Sequence, residues 1–301
     1  MNAVGIRHIG FVPGDQRVWY RDLPDVEGQI QRLQIPDEEE IWNWGYCRRS
    51  PMDYEAHVAN GFASLVAHLA AERIDVDAVL CCAPNHNSTE RFVAALASGV
   101  LPKISFGADR LQLVESGECV NVLQALGDAV ALLHSGHRHV VIVASEKVEE
   151  ERRFRKYSMF SDFCLALVVT SHVEQCPYEI LAVRIDADPN PGEDTGRILE
   201  RRLEKECVSS LLSGRGLAPR DVSKFFYLNL FEPIAEMKGK QIGFVSSQLY
   251  TAATKEFGHC YGADPFVNLS SYLTSGGLGR THILCASGRG SVGVSLIARR
   301  V

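Results

Sequence analysis

The feature that most constrains the fold of this chain is an order of strand-like and helix-like segments that occurs twice. Each half is predicted to run strand, helix, strand, helix, strand, helix, strand, strand, which is typical of a layered α/β sheet. The sequences of the two halves also correspond, because DVDAVLCCAP at 75–84 matches DVSKFFYLNL at 221–230. We therefore predict a duplicated α/β fold with one half at residues 1–174 and the other at 175–301.

Apolar runs and helical spacing give the individual elements. Strands are predicted at 3–12, 77–84, 110–117, 139–145, 163–171, 178–185, 221–230, 281–287 and 292–299. Helices are predicted at 54–73, 89–98, 120–135, 197–213, 233–255 and 265–275. The helix at 120–135 is apolar on most sides and should be buried. The highly charged run at 146–157 is predicted to be a solvated loop or flap.

Composition excludes several classes of protein. A chain of 301 residues buries enough surface for a large core. A net charge of -6 gives no electrostatic reason to expect a nucleic-acid partner. The N-terminus lacks the features of a signal peptide, and no apolar run approaches the roughly 18 residues of a membrane helix. The nine cysteines are an odd number scattered in apolar runs, which indicates reduced thiols and a cytoplasmic protein.

Two motifs resemble ligand sites but are better explained otherwise. GRGSVG at 288–293 has the spacing of a dinucleotide fingerprint, yet a strand-like segment follows it where the fingerprint needs a helix. These glycines are predicted to form a tight turn. HSGHRH at 134–139 has no nearby acid or cysteine to complete a ligand set, so polar residues at a helix end are favoured over a metal site.

Cys119 is the most informative single residue. It follows a predicted strand and opens the predicted buried helix, and the N-terminus of a helix favours a thiolate. A thiolate nucleophile requires an imidazole. In the other half, His259 lies in a loop before the predicted helix at 265–275, and Asn229 ends a predicted strand. The pseudo-twofold arrangement of the halves would bring Cys119 and His259 together. The alternatives are one more buried cysteine and an ordinary loop histidine.

The sequence resembles the ketoacyl-ACP synthase III family of the thiolase fold, from about residue 50 to the end. Five segments carry the resemblance: SGECVNVLQALGDAVALLHSG at 116–136, MFSDFCLALVV at 159–169, LAPRDVSKFFYLNLFEPI at 217–234, FGHCYGADPFVNL at 257–269 and ASGRGSVGVSL at 286–296. They place Cys119 on the catalytic cysteine and Gly288 on the oxyanion-hole glycine. Asp162 matches within the second segment, where the family's glycines are lost. Asn229 stands where the family has its catalytic histidine, and His259 where it has asparagine.

The resemblance implies a five-layer α-β-α-β-α fold, a homodimer or a heterodimer with a related synthase, and no cofactor or metal. It implies an acyltransferase or condensing enzyme of fatty-acid, polyketide or related secondary-metabolite synthesis. Cys119 would attack an acyl-CoA or acyl-carrier-protein thioester, and the N–H groups of Cys119 and Gly288 would hold the oxyanion. His259 would be the general base, and Asn229 would polarise a substrate carbonyl or orient the imidazole.

The exchange of histidine and asparagine bears on the reaction. In the family these two residues together stabilise the thioester oxyanion during decarboxylation of a malonyl unit, and their exchange changes which oxygen is held. Simple acyl transfer needs only a thiolate, a base and a backbone N–H, and water remains open as the acceptor. The alternative function is that of a non-catalytic partner subunit in a heteromeric synthase.

Overall fold

A computed structural model describes residues 3–83, 86–106, 111–115, 118–155, 157–188, 196–288 and 290–300. The strands within these residues are β1 (Val4–Pro13), β2 (Gln16–Trp19), β3 (Tyr46–Arg49), β4 (Ala78–Cys82), β5 (Leu111–Val114), β6 (His139–Glu146), β7 (Phe154–Arg155), β8 (Ser158–Met159), β9 (Phe163–Thr170), β10 (Tyr178–Ala187), β11 (Lys224–Phe226), β12 (Leu249–Tyr250), β13 (Thr281–Gly288) and β14 (Ser291–Arg299). Each predicted strand overlaps one of them.

The helices of the same residues are α1 (Val26–Leu33), α2 (Glu39–Trp42), α3 (Tyr54–Gly61), α4 (Ala63–Ala71), α5 (His86–Gly99), α6 (Asn121–His134), α7 (Gly196–Ser213), α8 (Glu232–Ile242), α9 (Thr254–Phe257) and α10 (Asp264–Thr274). The predicted helix at 54–73 is two helices, α3 and α4. No helix of the described ranges combines the length and apolarity required to cross a bilayer.

Ten of the strands form one mixed sheet in the order β12-β11-β13-β14-β10-β1-β9-β6-β4-β5. Its two five-stranded halves meet where β1 pairs with β10, and only three residue pairs join Val4–Ile6 to Tyr178–Ile180. β4 is parallel to β5 and β6, and β11 is parallel to β12 and β13. The predicted boundary at 174/175 lies in the connection between β9 and β10.

The helices form three layers around the two halves of the sheet. α3, α4 and α5 cover one face of β4, β6 and β9. α6 contacts β4, β6, β10 and β14, and α10 contacts β1, β11 and β13, so both lie between the halves. α7 and α8 cover the far side of the second half, where α7 contacts β10 and β14. The layers therefore run α-β-α-β-α, and the predicted duplicated five-layer fold is confirmed.

The predicted single helix at 233–255 is wrong. α8 ends at Ile242 because Gly243 adopts a left-handed conformation, with φ 119°, and its N–H bonds back to the carbonyl of Gly239. The chain then forms the edge strand β12 and the short helix α9. A glycine inside a helical pattern is tolerated, so the spacing of the apolar residues did not distinguish a helix end from a helix interior.

The prediction of a solvated flap at 146–157 is also wrong in part. The guanidinium of Arg153 is buried and pairs with the buried carboxylate of Asp162, with an Nη2–Oδ1 distance of 3.0 Å. Asp162 also accepts the backbone N–H groups of Ser50 and Val148. A buried carboxylate requires a positive partner, and Arg153 supplies it although the charged residues just before it, Glu151 and Arg152, are exposed.

The Arg153–Asp162 pair gives a stability prediction. We expect Arg153→Met to lower the free energy of unfolding by about 3 kcal/mol, because it leaves the Asp162 charge buried without its partner. Urea unfolding would measure the change. Arg152→Met is the matched control: Arg152 pairs with Glu149 at the surface, and an exposed pair contributes less than about 1 kcal/mol. Equal effects of the two substitutions would contradict the prediction.

His282 gives a prediction about acid stability. Its ring is buried beside the rings of Tyr178, Phe226 and Tyr272, and burial lowers the pKa of His282 from 6.5 to about 4. The folded state therefore favours neutral His282, and this contribution to stability is lost as the pH falls from about 6.5 towards 4, by at most about 1.4 kcal/mol per pH unit.

We expect His282→Phe to make the free energy of unfolding fall less steeply over that pH range. Urea unfolding at a series of pH values would measure the slope. A slope for His282→Phe equal to that of the unmodified protein would contradict the prediction.

Candidate active site

Cys119 lies where the first half presents its central helix to the second half. It is the middle residue of a single 3-10 turn, Glu118–Val120, which leads directly into α6. Its side chain is partly exposed, whereas the other eight cysteines are buried. The preceding residue, Glu118, has a left-handed backbone with φ 44°. Left-handed backbone in a non-glycine residue is strained, and such strain clusters at functional sites.

His259 is held from both sides by the first half of the chain. Its N–H donates to the carbonyl of Met159 at 2.6 Å, and its carbonyl accepts the N–H of Ser161 at 3.0 Å. Gly258 makes this approach possible: its φ is 59°, and a side chain there would come within 2.5 Å of the Met159 carbonyl oxygen. The imidazole lies beside the ring of Phe160, with centroids 4.8 Å apart. Backbone and ring contacts together fix the direction of the imidazole.

The structure brings Cys119 and His259 together. The Sγ of Cys119 lies 3.5 Å from Nε2 of His259, and the Nδ1 of the same ring is bonded to a carboxylate oxygen of Asp264. The ring is almost fully buried, with 3% of its surface exposed. Thiol, imidazole and carboxylate therefore stand in a line, which is the arrangement that activates a cysteine nucleophile in other enzymes.

The charges of this line favour an imidazolium. Burial alone would lower the pKa of His259, but the carboxylate of Asp264 and the neighbouring Cys119 raise it to about 10. A protonated imidazole next to the sulfur favours the thiolate, so the pair is suited to nucleophilic attack followed by protonation of a leaving group.

Asp264 holds more than the imidazole. It is fully buried at the first position of α10, where the positive end of the helix dipole favours a carboxylate. One of its oxygens accepts the N–H of Cys260 at 2.6 Å, and the other accepts the N–H of Asn229 at 2.7 Å. This single carboxylate therefore fixes the ring of His259 and the two loops that meet beside it.

The side chain of Asn229 braces the loop that carries His259. Its amide Nδ2 donates to the carbonyl of Gly258 at 2.8 Å, and its Oδ1 accepts the hydroxyl of Thr254 at 3.3 Å. The backbone N–H of Asn229 and the His259 ring bond to the same oxygen of Asp264, but the Asn229 amide group bonds to the loop and not to Cys119 or His259 in the described hydrogen bonds.

Gly288 is the last residue of β13, and the glycine turn joins two antiparallel strands in which Gly288 pairs with Ser291. The predicted tight turn includes Arg289, which lies outside the described residues. β13 packs against the Glu118–Val120 turn, so Gly288 ends a strand that borders Cys119. Gly262 lies on another side, where an added Cβ would come within 2.9 Å of the carbonyl oxygen of Cys119.

Asp264 is the residue that sequence reasoning missed. In FGHCYGAD it stands five positions after His259 and opens a predicted helix, and an acidic residue in the first turn is an ordinary helix-start signal. Only the fold of the loop turns its carboxylate back onto the imidazole. Among the described residues, no group of three or more His, Cys, Asp or Glu side chains is arranged to hold a metal ion.

Comparison with solved structures identifies the fold. The acyltransferase ChlB3 superimposes with a TM-score of 0.78, at 18% identity and with 99% of this chain and 98% of the other covered. 3-Oxoacyl-[acyl-carrier-protein] synthase III from Aquifex aeolicus VF5 gives a TM-score of 0.72, at 18% identity and with 98% and 99% covered. The chain has the thiolase-like fold of the ketoacyl synthase III proteins.

Other comparisons agree on the ketoacyl synthase III-like fold. Cerulenin-bound OleA from Xanthomonas campestris gives a TM-score of 0.78, at 12% identity and with 98% of each chain covered. No protein-family model matches the chain, and no curated protein does. The likeness therefore lies in the backbone arrangement, and the chemistry has to be argued from the residues of this chain.

The Cys119–His259–Asp264 line predicts how the reactivity of the thiol depends on pH. We expect Asp264→Asn to lower the pKa of His259, because the negative charge beside its Nδ1 is lost. The imidazolium that favours the thiolate would then persist over a narrower pH range, and alkylation of Cys119 near neutral pH should slow about tenfold. Iodoacetamide labelling followed by intact mass between about pH 5 and 9 would measure this.

The control for Asp264→Asn is a second carboxylate cap that lies outside the site. Asp53 accepts the N–H of Ala56 at 2.8 Å at the start of α3, and Asp53→Asn should leave the alkylation rate unchanged. Near-ultraviolet circular dichroism would verify that both variants are folded. If the pH profile of folded Asp264→Asn superimposes on that of the unmodified protein, the carboxylate does not act on the imidazole.

Proposed function

We propose that this protein transfers an acyl group from an acyl-CoA or acyl-carrier-protein thioester to an acceptor, through a covalent acyl-enzyme on Cys119. The observation that carries the proposal is the 3.5 Å contact between the Cys119 Sγ and the His259 Nε2, with Asp264 behind the ring. A thiol, an imidazole and an orienting carboxylate are the groups that thioester exchange requires.

In the first step, the thiolate of Cys119 attacks the carbonyl carbon of the donor thioester. The backbone N–H groups of Cys119 and Gly288 stabilise the resulting oxyanion. The bond from the carbonyl carbon to the donor sulfur then breaks, and the departing thiolate takes the proton of the His259 imidazolium. The products of this step are acyl-Cys119, neutral His259 and the free thiol of the donor.

In the second step, neutral His259 accepts a proton from the nucleophile of the acceptor as that nucleophile attacks acyl-Cys119. The bond from the carbonyl carbon to Sγ breaks, which regenerates the thiolate beside an imidazolium. Asp264 holds the tautomer and orientation of the ring in both steps, and Asn229 holds the loop that presents it. No proton or electron is left over, and no cofactor takes part.

The position of Asn229 supports acyl transfer over decarboxylative condensation. Condensation in the family uses histidine and asparagine side chains that together hold one substrate oxygen. Here the Asn229 amide bonds to Gly258 and Thr254, while His259 bonds to Asp264. One of the structural neighbours, ChlB3, is described as an acyltransferase. The dimer, the cytoplasmic location and a role in secondary metabolism remain predictions.

The decisive experiment is the capture of the acyl-enzyme. Incubation with acetyl-CoA, butyryl-CoA and lauroyl-CoA, and with the corresponding acyl-carrier-protein thioesters, should give an adduct of the acyl mass in intact mass spectra. Lauroyl-CoA is included because an OleA structure of the same fold, with a TM-score of 0.77 and 12% identity, contains it. Cys119→Ala should abolish the adduct.

Cys176→Ala is the matched control, because Cys176 is a buried free thiol that lies outside the site, in the connection between β9 and β10. That variant should be acylated like the unmodified protein. An adduct that persists in Cys119→Ala, or no adduct with any donor, would refute the proposal. Copurification of an adduct-free protein with an intact synthase would favour the non-catalytic partner.

A further inference from the structure

Four polar side chains form a buried cluster in the second half of the molecule, which we call the Glu204 network: Glu204, Tyr227, Lys238 and Ser287. The hydroxyl groups of Tyr227 and Ser287 lie 2.7 Å apart, and both donate to Oε1 of Glu204. The ammonium group of Lys238 donates to the same oxygen at 2.8 Å and to the hydroxyl of Tyr227 at 3.0 Å.

The Glu204 network is unusual because it buries a charge pair away from the Cys119–His259–Asp264 line. Only 1% of Glu204 and 4% of Tyr227 are exposed, and the Lys238 side chain is mostly buried. A buried ion pair contributes little or no net stability relative to apolar residues of similar size, since both ions lose their hydration. A gain in stability therefore does not explain why these four polar side chains are buried together. Their position next to the site explains it better.

The network joins two neighbouring parallel strands at the ends that lead to the site. β11 pairs with β13, with Phe226 opposite Leu284. Tyr227 directly follows β11 and stands two residues before Asn229. Ser287 belongs to β13 and stands one residue before Gly288. Glu204, which accepts a hydrogen bond from each of the two hydroxyl groups, therefore ties the two chain segments together immediately before each delivers a residue to the site.

The glycine turn needs such support. Gly288 and Gly290 have no side chains to pack, and Gly290 has a left-handed backbone with φ 74°. Glycine loses more conformational freedom on ordering than any other residue, so its position must be fixed by its neighbours. The Ser287 hydroxyl, held by Tyr227 and Glu204, is the nearest side-chain anchor on the β13 side of the turn.

We propose that the Glu204 network positions Gly288 so that its backbone N–H meets the oxyanion of the donor thioester. Tyr227 and Ser287 are thus positioning residues, which act through the backbone and touch neither the thioester nor the sulfur. The inference rests on the proposed acyl transfer and concerns the placement of an oxyanion donor in its first step. An oxyanion donor must lie about 2.7–3.1 Å from the developing charge, so a small shift of the turn is enough to slow acylation.

The test compares two reactions of the same thiol. Attack on a thioester needs the oxyanion donors, whereas alkylation of Cys119 by iodoacetamide needs only the thiolate. We expect Ser287→Ala and Tyr227→Phe to lower the kcat of acyl transfer about tenfold with little change in KM, a fraction of the roughly 100-fold that loss of a whole oxyanion donor costs. The alkylation rate should stay unchanged in both variants.

The chain offers a matched pair of controls. Tyr250 of β12 shares a hydrogen bond of 2.9 Å with Ser271 of α10, so this tyrosine and serine also link two neighbouring elements through their hydroxyl groups. Tyr250→Phe and Ser271→Ala should leave both the kcat and the alkylation rate unchanged. Thermal unfolding of all four variants would separate loss of stability from loss of rate.

The outcomes distinguish the inference from the proposed function. If the unmodified protein forms no acyl-enzyme, the proposed function fails first. If it does, and folded Ser287→Ala is acylated at the normal rate, the network does not position Gly288 and the inference is wrong. A parallel fall in acylation and alkylation would also overturn it, because the damage would then extend to the thiolate. Ser287→Ala decides the matter if Tyr227→Phe does not fold.

Discussion

The site depends on one buried carboxylate. Asp264 accepts hydrogen bonds from the His259 ring, the N–H of Cys260 and the N–H of Asn229. Its burial is tolerable only because these donors and the start of α10 replace its hydration. In return, it gives the imidazole its charge, its tautomer and its direction towards Cys119. Without this carboxylate, the imidazole would lose its bond at Nδ1 and the negative charge that raises its pKa.

The sequence was most informative where periodicity is strong. Strands buried on both faces read as continuous apolar runs, and the repeated order of elements led directly to a duplicated α/β fold, whereas the five layers were implied by the family resemblance. Failures came where a local feature has two structural meanings. Gly243 ends α8, although a glycine inside a helix is common, and Arg153 is buried, although it belongs to a run of exposed charges. In both cases contacts with residues distant in sequence determine the structure, and these contacts cannot be recognised in the local sequence.

The candidate site also has features that the sequence predicted and features that it did not. The helix-opening position of Cys119 and the symmetry of the halves were sufficient to expect the sulfur and the His259 imidazole to meet. Asp264 could not be recognised, because its role depends on the turn made by the four residues between it and His259. The amide of Asn229 was expected at the reacting groups and instead supports the loop. Backbone placement was thus predictable from the order of elements, whereas hydrogen-bond partners were not.

The narrow seam between β1 and β10 has a consequence for how the protein is made. Because three residue pairs join the half-sheets, the halves adhere mainly through α6 and α10, whose apolar residues share one core cluster. During translation, α6 leaves the ribosome with a face that stays uncovered until β10, α10 and β14 have followed it. Chains with such long-range pairing fold slowly and expose hydrophobic surface, which is prone to aggregation, until folding is complete. The nascent chain is therefore expected to need protection by chaperones until its last strand emerges.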